Sequence, residues 1–210
     1  MYLFTRTAQL VGPLREVMGW AAEITANVNS HGGSHVSLWG SAYGQPVGRV
    51  VWSMWVESMA DVSSLFMTLN ADEEYHAVLA KGRDYLAAPA EDELRQLVHG
   101  TPPDATPPVG AVTVRTTATV ANGKYVEAMA WGADMSAHVE SVTGQRSYFF
   151  LDSFGTFGQV TWFTLSADVA AAEAESNAIN ADADYLWRLA DVATLFLPGS
   201  GHRAMATKIA

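Results

Sequence analysis

Two short stretches that each occur twice decide the fold. GRVVW at Gly48–Trp52 returns as GQVTW at Gly158–Trp162, and NADEEY at Asn70–Tyr75 returns as NADADY at Asn180–Tyr185, both 110 residues later. Upstream the match runs at an offset of 111, where Gly12, Glu16, Met18, Trp20, Ala22, Ala26 and Val28 align with Gly123, Glu127, Met129, Trp131, Ala133, Ala137 and Val139. One residue is dropped after Gly44 and Gly155. Self-similarity of this length marks a duplicated structural unit. Between the copies lies GTPPDATPPVG, residues 100–110, whose four prolines predict a stiff, exposed linker.

A single copy reads as β-α-β-β-α-β. Tyr2–Gln9 alternates, with β-branched and aromatic residues, as a strand does. Leu14, Val17, Met18, Ala21, Ile24, Thr25 and Val28 recur at helical spacing and predict an amphipathic helix that stops at His31-Gly32-Gly33. Ser34–Tyr43 and Arg49–Val56 read as strands joined by the turn Gly44–Gly48. A helical region follows, Met59–Leu69 and Ala71–Leu86, with Asn70 or Asp72 as the cap between its pieces. Leu94–His99 is the last strand. In the second copy the helices are expected at Gly123–Val139 and Asp168–Leu197, and the final strand at Ala204–Ile209.

That order is the split βαβ, ferredoxin-like unit, an antiparallel sheet with helices on one face. The predicted class is therefore α+β, with repeat 1 at 1–99, the linker at 100–110 and repeat 2 at 111–210. Each sheet leaves one face bare, and that face must be buried. The strands carry Trp39, Trp52, Trp55, Phe149, Phe150, Trp162 and Phe163, too many aromatics for one covered face. Packing the two bare faces together hides them.

Composition narrows the function classes. The 210 residues hold no cysteine, which excludes disulfides, thiolate catalysis and Cys-ligated metals. A net charge of −10 disfavours nucleic acid. No apolar run is long enough to span a membrane. The first residues show no basic-then-apolar leader, so the expected location is the cytoplasm.

The duplicated unit, the pattern GrvvW–helix–NADxxY–helix and the tail LPGSGHRAMATKIA resemble the dimeric α/β-barrel superfamily. In that superfamily two ferredoxin-like units pair their sheets into a barrel with the helices outside. This chain looks like a tandem, single-chain form. The resemblance implies a pseudo-symmetric barrel with a ligand either between sheet and helices or inside the barrel. Members include cofactor-independent monooxygenases, cyclases, isomerases, haem proteins and proteins without known activity, so the fold alone leaves the chemistry open.

The candidate site comes from the second strand of each copy. His35, Ser37, Trp39 and Ser41 alternate onto one face and align with Arg146, Tyr148, Phe150 and Asp152. The first strands add Arg6 and Arg115, aligned with Thr117 and Phe4 respectively. Polar groups on a packing face need partners or a ligand. The functional reading makes Tyr148 or His35 the acid or base and Arg115 or Arg146 the stabiliser of an anion. Trp39 and Phe150 are then flat walls, with Arg6 and Asp152 completing a pocket for a small hydrophobic or aromatic molecule. The alternative is a structural one, in which Arg146 pairs with Asp152 at a partly solvated strand end.

Three functions follow: a small-molecule enzyme working without a bound cofactor, a non-catalytic barrel for a ligand or partner, and a haem protein with His76 as the ligand. A homo-oligomer fits each of them. The acid-rich stretch Glu173–Asp184 reads as a solvated helix face.

Overall fold

The computed structural model of this chain describes residues 1–31 and 35–210. Its elements run β1 (Tyr2–Gln9), α1 (Leu14–Ser30), β2 (Ser37–Tyr43), β3 (Arg49–Val56), α2 (Met59–Asn70), α3 (Glu73–Lys81) and β4 (Glu91–His99). The second half gives β5 (Val112–Thr119), α4 (Tyr125–Thr143), β6 (Ser147–Phe154), β7 (Gln159–Ser166), α5 (Val169–Ala181), α6 (Ala183–Asp191) and β8 (His202–Lys208). The expected glycine stop at Gly32-Gly33 and strand start at Ser34 lie outside the described residues.

The strands close into one antiparallel barrel in the order β1-β3-β2-β8-β5-β7-β6-β4. The bare faces are buried against each other, and the helices sit outside. Two seams join the halves, β2 to β8 and β4 to β6, and both carry register shifts. Ordinary alternation along β4 turns Leu94 to the helices and Arg95 to the interior, and the shift beside them lies on β6, where Phe154 and Asp152 are their successive partners.

On the outer faces the repeats share two features. Trp20 meets Trp52 edge to face at 6.3 Å, and Trp131 meets Trp162 in the same way at 5.9 Å. Asp72 and Asp182 cap α3 and α6, accepting from the backbone N–H of Tyr75 at 2.7 Å and of Tyr185 at 2.6 Å. The extended backbone at Asp182 splits the single helix expected over Asp168–Leu197 into α5 and α6. Gly144, in the left-handed region at φ 69°, ends α4.

Two expectations are corrected. The first strands align at an offset of 110 and not 111: Tyr2 faces Val56 as Val112 faces Ser166. A one-residue slip exchanges the faces of a strand. Thr5, not Phe4, is therefore the counterpart of Arg115, and Arg6 lies on the helix-covered face. The extra residue of repeat 2 falls between β5 and α4. The second correction concerns Glu175, which is buried within the stretch expected to be solvated and accepts from the Ser166 hydroxyl at 2.8 Å.

Candidate functional site

The barrel interior encloses a cavity of about 120 Å³. Alternation brings Leu3, Thr5 and Thr7 of β1, Trp39 and Ser41 of β2, and Val51, Ser53 and Trp55 of β3 to it. Repeat 2 supplies Thr113 and Arg115 of β5, Tyr148 and Phe150 of β6, and Phe163 and Leu165 of β7. The aromatic rings form a continuous wall. Trp55 lies 5.6 Å from Tyr148 and 5.7 Å from Phe150, and Phe150 lies 5.7 Å from Phe163.

One end of the barrel is crossed by residues 100–110. β4 ends and β5 begins at this end with β6 and β7 between them in the ring, so the connection has to pass over the barrel mouth. Pro103 and Pro107 line the cavity as a result. The segment is half-buried there, and two cations fasten it. Arg146 donates to the Pro102 carbonyl at 3.2 Å and to Asp104 at 2.8 Å, and the buried Lys208 donates to the Pro107 carbonyl at 2.6 Å. Burial pushes the Lys208 ammonium below its ordinary value.

Towards the other end the interior becomes charged. Arg95 has no exposed surface. Its guanidinium donates to Thr5 at 2.7 Å, to Thr161 at 3.3 Å and to Glu93, and lies 3.4 Å from Asp152. Asp152 also accepts from Gln159 at 2.6 Å and from Thr161 at 2.8 Å. Burial raises its carboxyl above the ordinary range, against the pull of Arg95. Arg115 comes only within 4.0 Å of Glu93. Among the described residues its guanidinium donates no hydrogen bond. Burial lowers its pKa, with Arg95 as the next cause.

Tyr148 and Ser41 carry buried unsatisfied hydroxyls at the cavity. Neither has a hydrogen-bond partner among the described residues. Burial raises the pKa of Tyr148, opposed by the nearby Arg146, which spends its own hydrogen bonds on the 100–110 segment.

Of the residues expected to form one pocket, the structure brings Trp39, Phe150, Arg115 and Tyr148 to the cavity, with Asp152 buried beside it. Arg146 stands outside on the crossing segment, and His35 is exposed and does not line the cavity. Arg6 is on the far side of the sheet, paired with Asp92 at 2.7 and 2.8 Å and resting 4.9 Å over the Phe66 ring. The predicted Arg146–Asp152 pair is replaced by Arg146–Asp104 and Arg95–Asp152. Sequence reasoning did not find Arg95 and Glu93. They lie on β4, which has no aromatic pattern to mark its inner face, and they alternate inward opposite Leu3 and Thr5 of β1.

Further cavities between sheet and helices include one in each repeat. The repeat 1 cleft measures about 130 Å³ and is walled by Trp20, Trp52 and Phe66, and its repeat 2 counterpart measures about 210 Å³, with Trp131, Trp162 and Phe196. Trp20 donates its indole N–H to the Val78 carbonyl at 2.9 Å, whereas the buried indole N–H of Trp131 finds no partner among the described residues.

A histidine-ligated haem needs an imidazole facing a cavity. Among the described residues, no histidine lines any of the three. His76 is exposed with Nε2 3.0 Å from the Asn70 carbonyl, and His31 and His138 are engaged with Asp72 and Asp182 at 2.5 and 2.8 Å. The residues present do not fit such a group. Among the described residues, no three metal-binding side chains cluster, and no helix is long and apolar enough to cross a membrane.

The fold is that of a dimeric α/β barrel carried by one chain. No family model matches the sequence, and no curated protein matches it. Solved structures do match over the whole length. A protein provisionally named a monooxygenase, from Fusobacterium nucleatum, aligns with a TM-score of 0.74 at 9% identity, covering 100% of this chain and 92% of that one. An anthrone oxidase-like protein aligns with a TM-score of 0.68 at 15% identity, covering 100% and 91%. A protein provisionally named a chlorite dismutase aligns with a TM-score of 0.57 at 12% identity, covering 100% and 96%. At these identities the likeness establishes the fold.

Proposed function

We propose that this protein is a small-molecule enzyme that binds a flat hydrophobic or aromatic compound inside the barrel and acts on it without a bound cofactor, as a monooxygenase, cyclase or isomerase does. The observation that carries this reading is a buried, unpartnered hydroxyl and a partly exposed guanidinium that donates no hydrogen bond among the described residues, both on one aromatic-walled cavity. The Tyr148 hydroxyl and the Arg115 guanidinium both belong to residues lining it, and neither has a hydrogen-bond partner among the described residues. Unpaired buried polar groups are unfavourable unless a ligand completes them. The raised pKa of Tyr148 keeps its proton at neutral pH, so it enters as a donor. Arg115 is placed to stabilise negative charge developing on the substrate. Trp39 and Phe150 supply the flat walls. The names of the structural neighbours support the monooxygenase member of this set.

The test is native mass spectrometry of the protein as purified, followed by turnover of whatever compound it carries. The expected result is a small organic mass, with turnover reduced by about a hundredfold or more in Tyr148→Phe. A retained rate in that variant rejects the role of Tyr148, and a haem mass rejects the cofactor-free reading.

A second reading places the ligand in the repeat 2 cleft, where the unpartnered Trp131 indole awaits an acceptor. Loss of binding in Trp131→Phe, with Tyr148→Phe unaffected, favours that cleft.

A further inference from the structure

The charges around the barrel cavity are unevenly paired. Arg95 takes both nearby carboxylates in close contacts, Glu93 by hydrogen bond and Asp152 at 3.4 Å. Asp152 is already engaged by Arg95, Gln159 and Thr161. Arg115 is left with a distant share of Glu93 at 4.0 Å. Its other charged neighbours include the cations Arg95 and Arg49, and Arg49 is itself 3.7 Å from Glu91 at the rim. Among these groups Arg115 is the cation with no carboxylate closer than 4.0 Å. The Arg115 side chain is 23% exposed, so a guanidinium without a close counter-ion stands at the cavity wall within reach of an anion arriving from solvent.

The rest of the cavity is apolar and small. Its 120 Å³ compares with the roughly 150 Å³ engineered cavity that accepts benzene, so it has room for about one ring. We propose that the barrel interior is a binding site for a small aromatic acid in its anionic form, the ring lying among Trp39, Trp55 and Phe150 and the carboxylate or phenolate oxygen on the Arg115 guanidinium. This rests on the barrel cavity being the ligand site and adds the charge and size of what it takes. Arg115 matches a carboxylate through paired N–H donors, a geometry that lysine does not reproduce.

The experiment compares benzoate with benzamide, which has nearly the same shape and no charge. Each is titrated calorimetrically into the full chain at neutral pH. Benzoate is expected to bind roughly ten- to a hundredfold more tightly. Arg115→Gln is expected to erase the difference by weakening benzoate alone, and Arg115→Lys to retain part of it. Ala206→Trp, which fills the cavity, is expected to abolish binding of both. Equal affinities in the unaltered protein overturn the anion preference and leave the cavity reading standing. Failure of both compounds to bind overturns the cavity reading as well. Benzoate binding that survives Ala206→Trp lies elsewhere and also overturns the proposal. Should the variants fail to fold, the comparison of the two compounds on the unaltered chain still decides the charge preference.

Discussion

Arg95 of the first repeat and Asp152 of the second lie 3.4 Å apart across the β4–β6 seam, both side chains fully enclosed. The ion pair therefore ties the two halves from inside the barrel. Removing one partner of a buried pair leaves the other charged and unsolvated. Arg95→Ala is expected to destabilise the protein by about 3–5 kcal/mol in chemical denaturation. Adding Asp152→Asn to Arg95→Met should recover part of that loss, because the stranded charge is gone. A double variant no more stable than Arg95→Met alone would show that Glu93 is the partner that matters.

Helix packing differs between the repeats by a compensated exchange. At one contact repeat 1 has Ala21 over Leu38, and repeat 2 has Gly132 over Phe149. A Cβ on Gly132 would meet the Phe149 ring at 2.2 Å, and that ring has no exposed surface. Gly132→Ala is expected to cost about 1–3 kcal/mol from overpacking. A methyl group added at Gly19 would meet nothing within 4 Å, so Gly19→Ala should gain roughly 0.5–1 kcal/mol from helix propensity. Thermal melts of the two variants should move in opposite directions.

His31 and Asp72 join α1 to the cap of α3 at 2.5 Å. The hydrogen bond to Asp72 raises the pKa of His31 from 6.5, and the Tyr75 backbone N–H, then His31, lower that of Asp72 from 3.8. The histidine contributes stability that is complete below its unfolded pKa and is lost as pH rises through its folded value. The aspartate contributes stability that is complete above its unfolded pKa and is lost as pH falls through its folded value. The pair is therefore fully effective between 3.8 and 6.5. Asp72→Asn keeps a capping side chain, so its melting temperature should fall below that of the unaltered protein most in that window and converge towards it in alkali. A constant difference across pH would show that only the cap matters.

Residues 1–99 on their own would expose both seam strands, β2 and β4, with their hydrogen-bonding edges and the apolar inner face. Expressed alone, this fragment is expected to self-associate in analytical ultracentrifugation, pairing as the two repeats do in the full chain. A folded monomer would show that the shared barrel is not needed for stability.

The duplication and the alternation of residues in each copy were legible in the sequence because they are local. Repeated GRVVW/GQVTW strands, helical spacing from Leu14 and paired NAD caps all report on neighbours within a turn or a hairpin. Trp39, Phe150 and Tyr148 could be assigned to one face for the same reason. Arg6 was misplaced because a single inserted residue between β5 and α4 shifts the alignment of the first strands, and one residue is enough to turn a strand over. What only the tertiary structure decided lies at the seams and the barrel ends. Arg95 meets Asp152 because β4 pairs with β6, a strand far from it in sequence, and residues 100–110 cover the cavity because β6 and β7 stand between β4 and β5 in the closed ring. Chain closure sets both, and no short-range pattern of residue types records it.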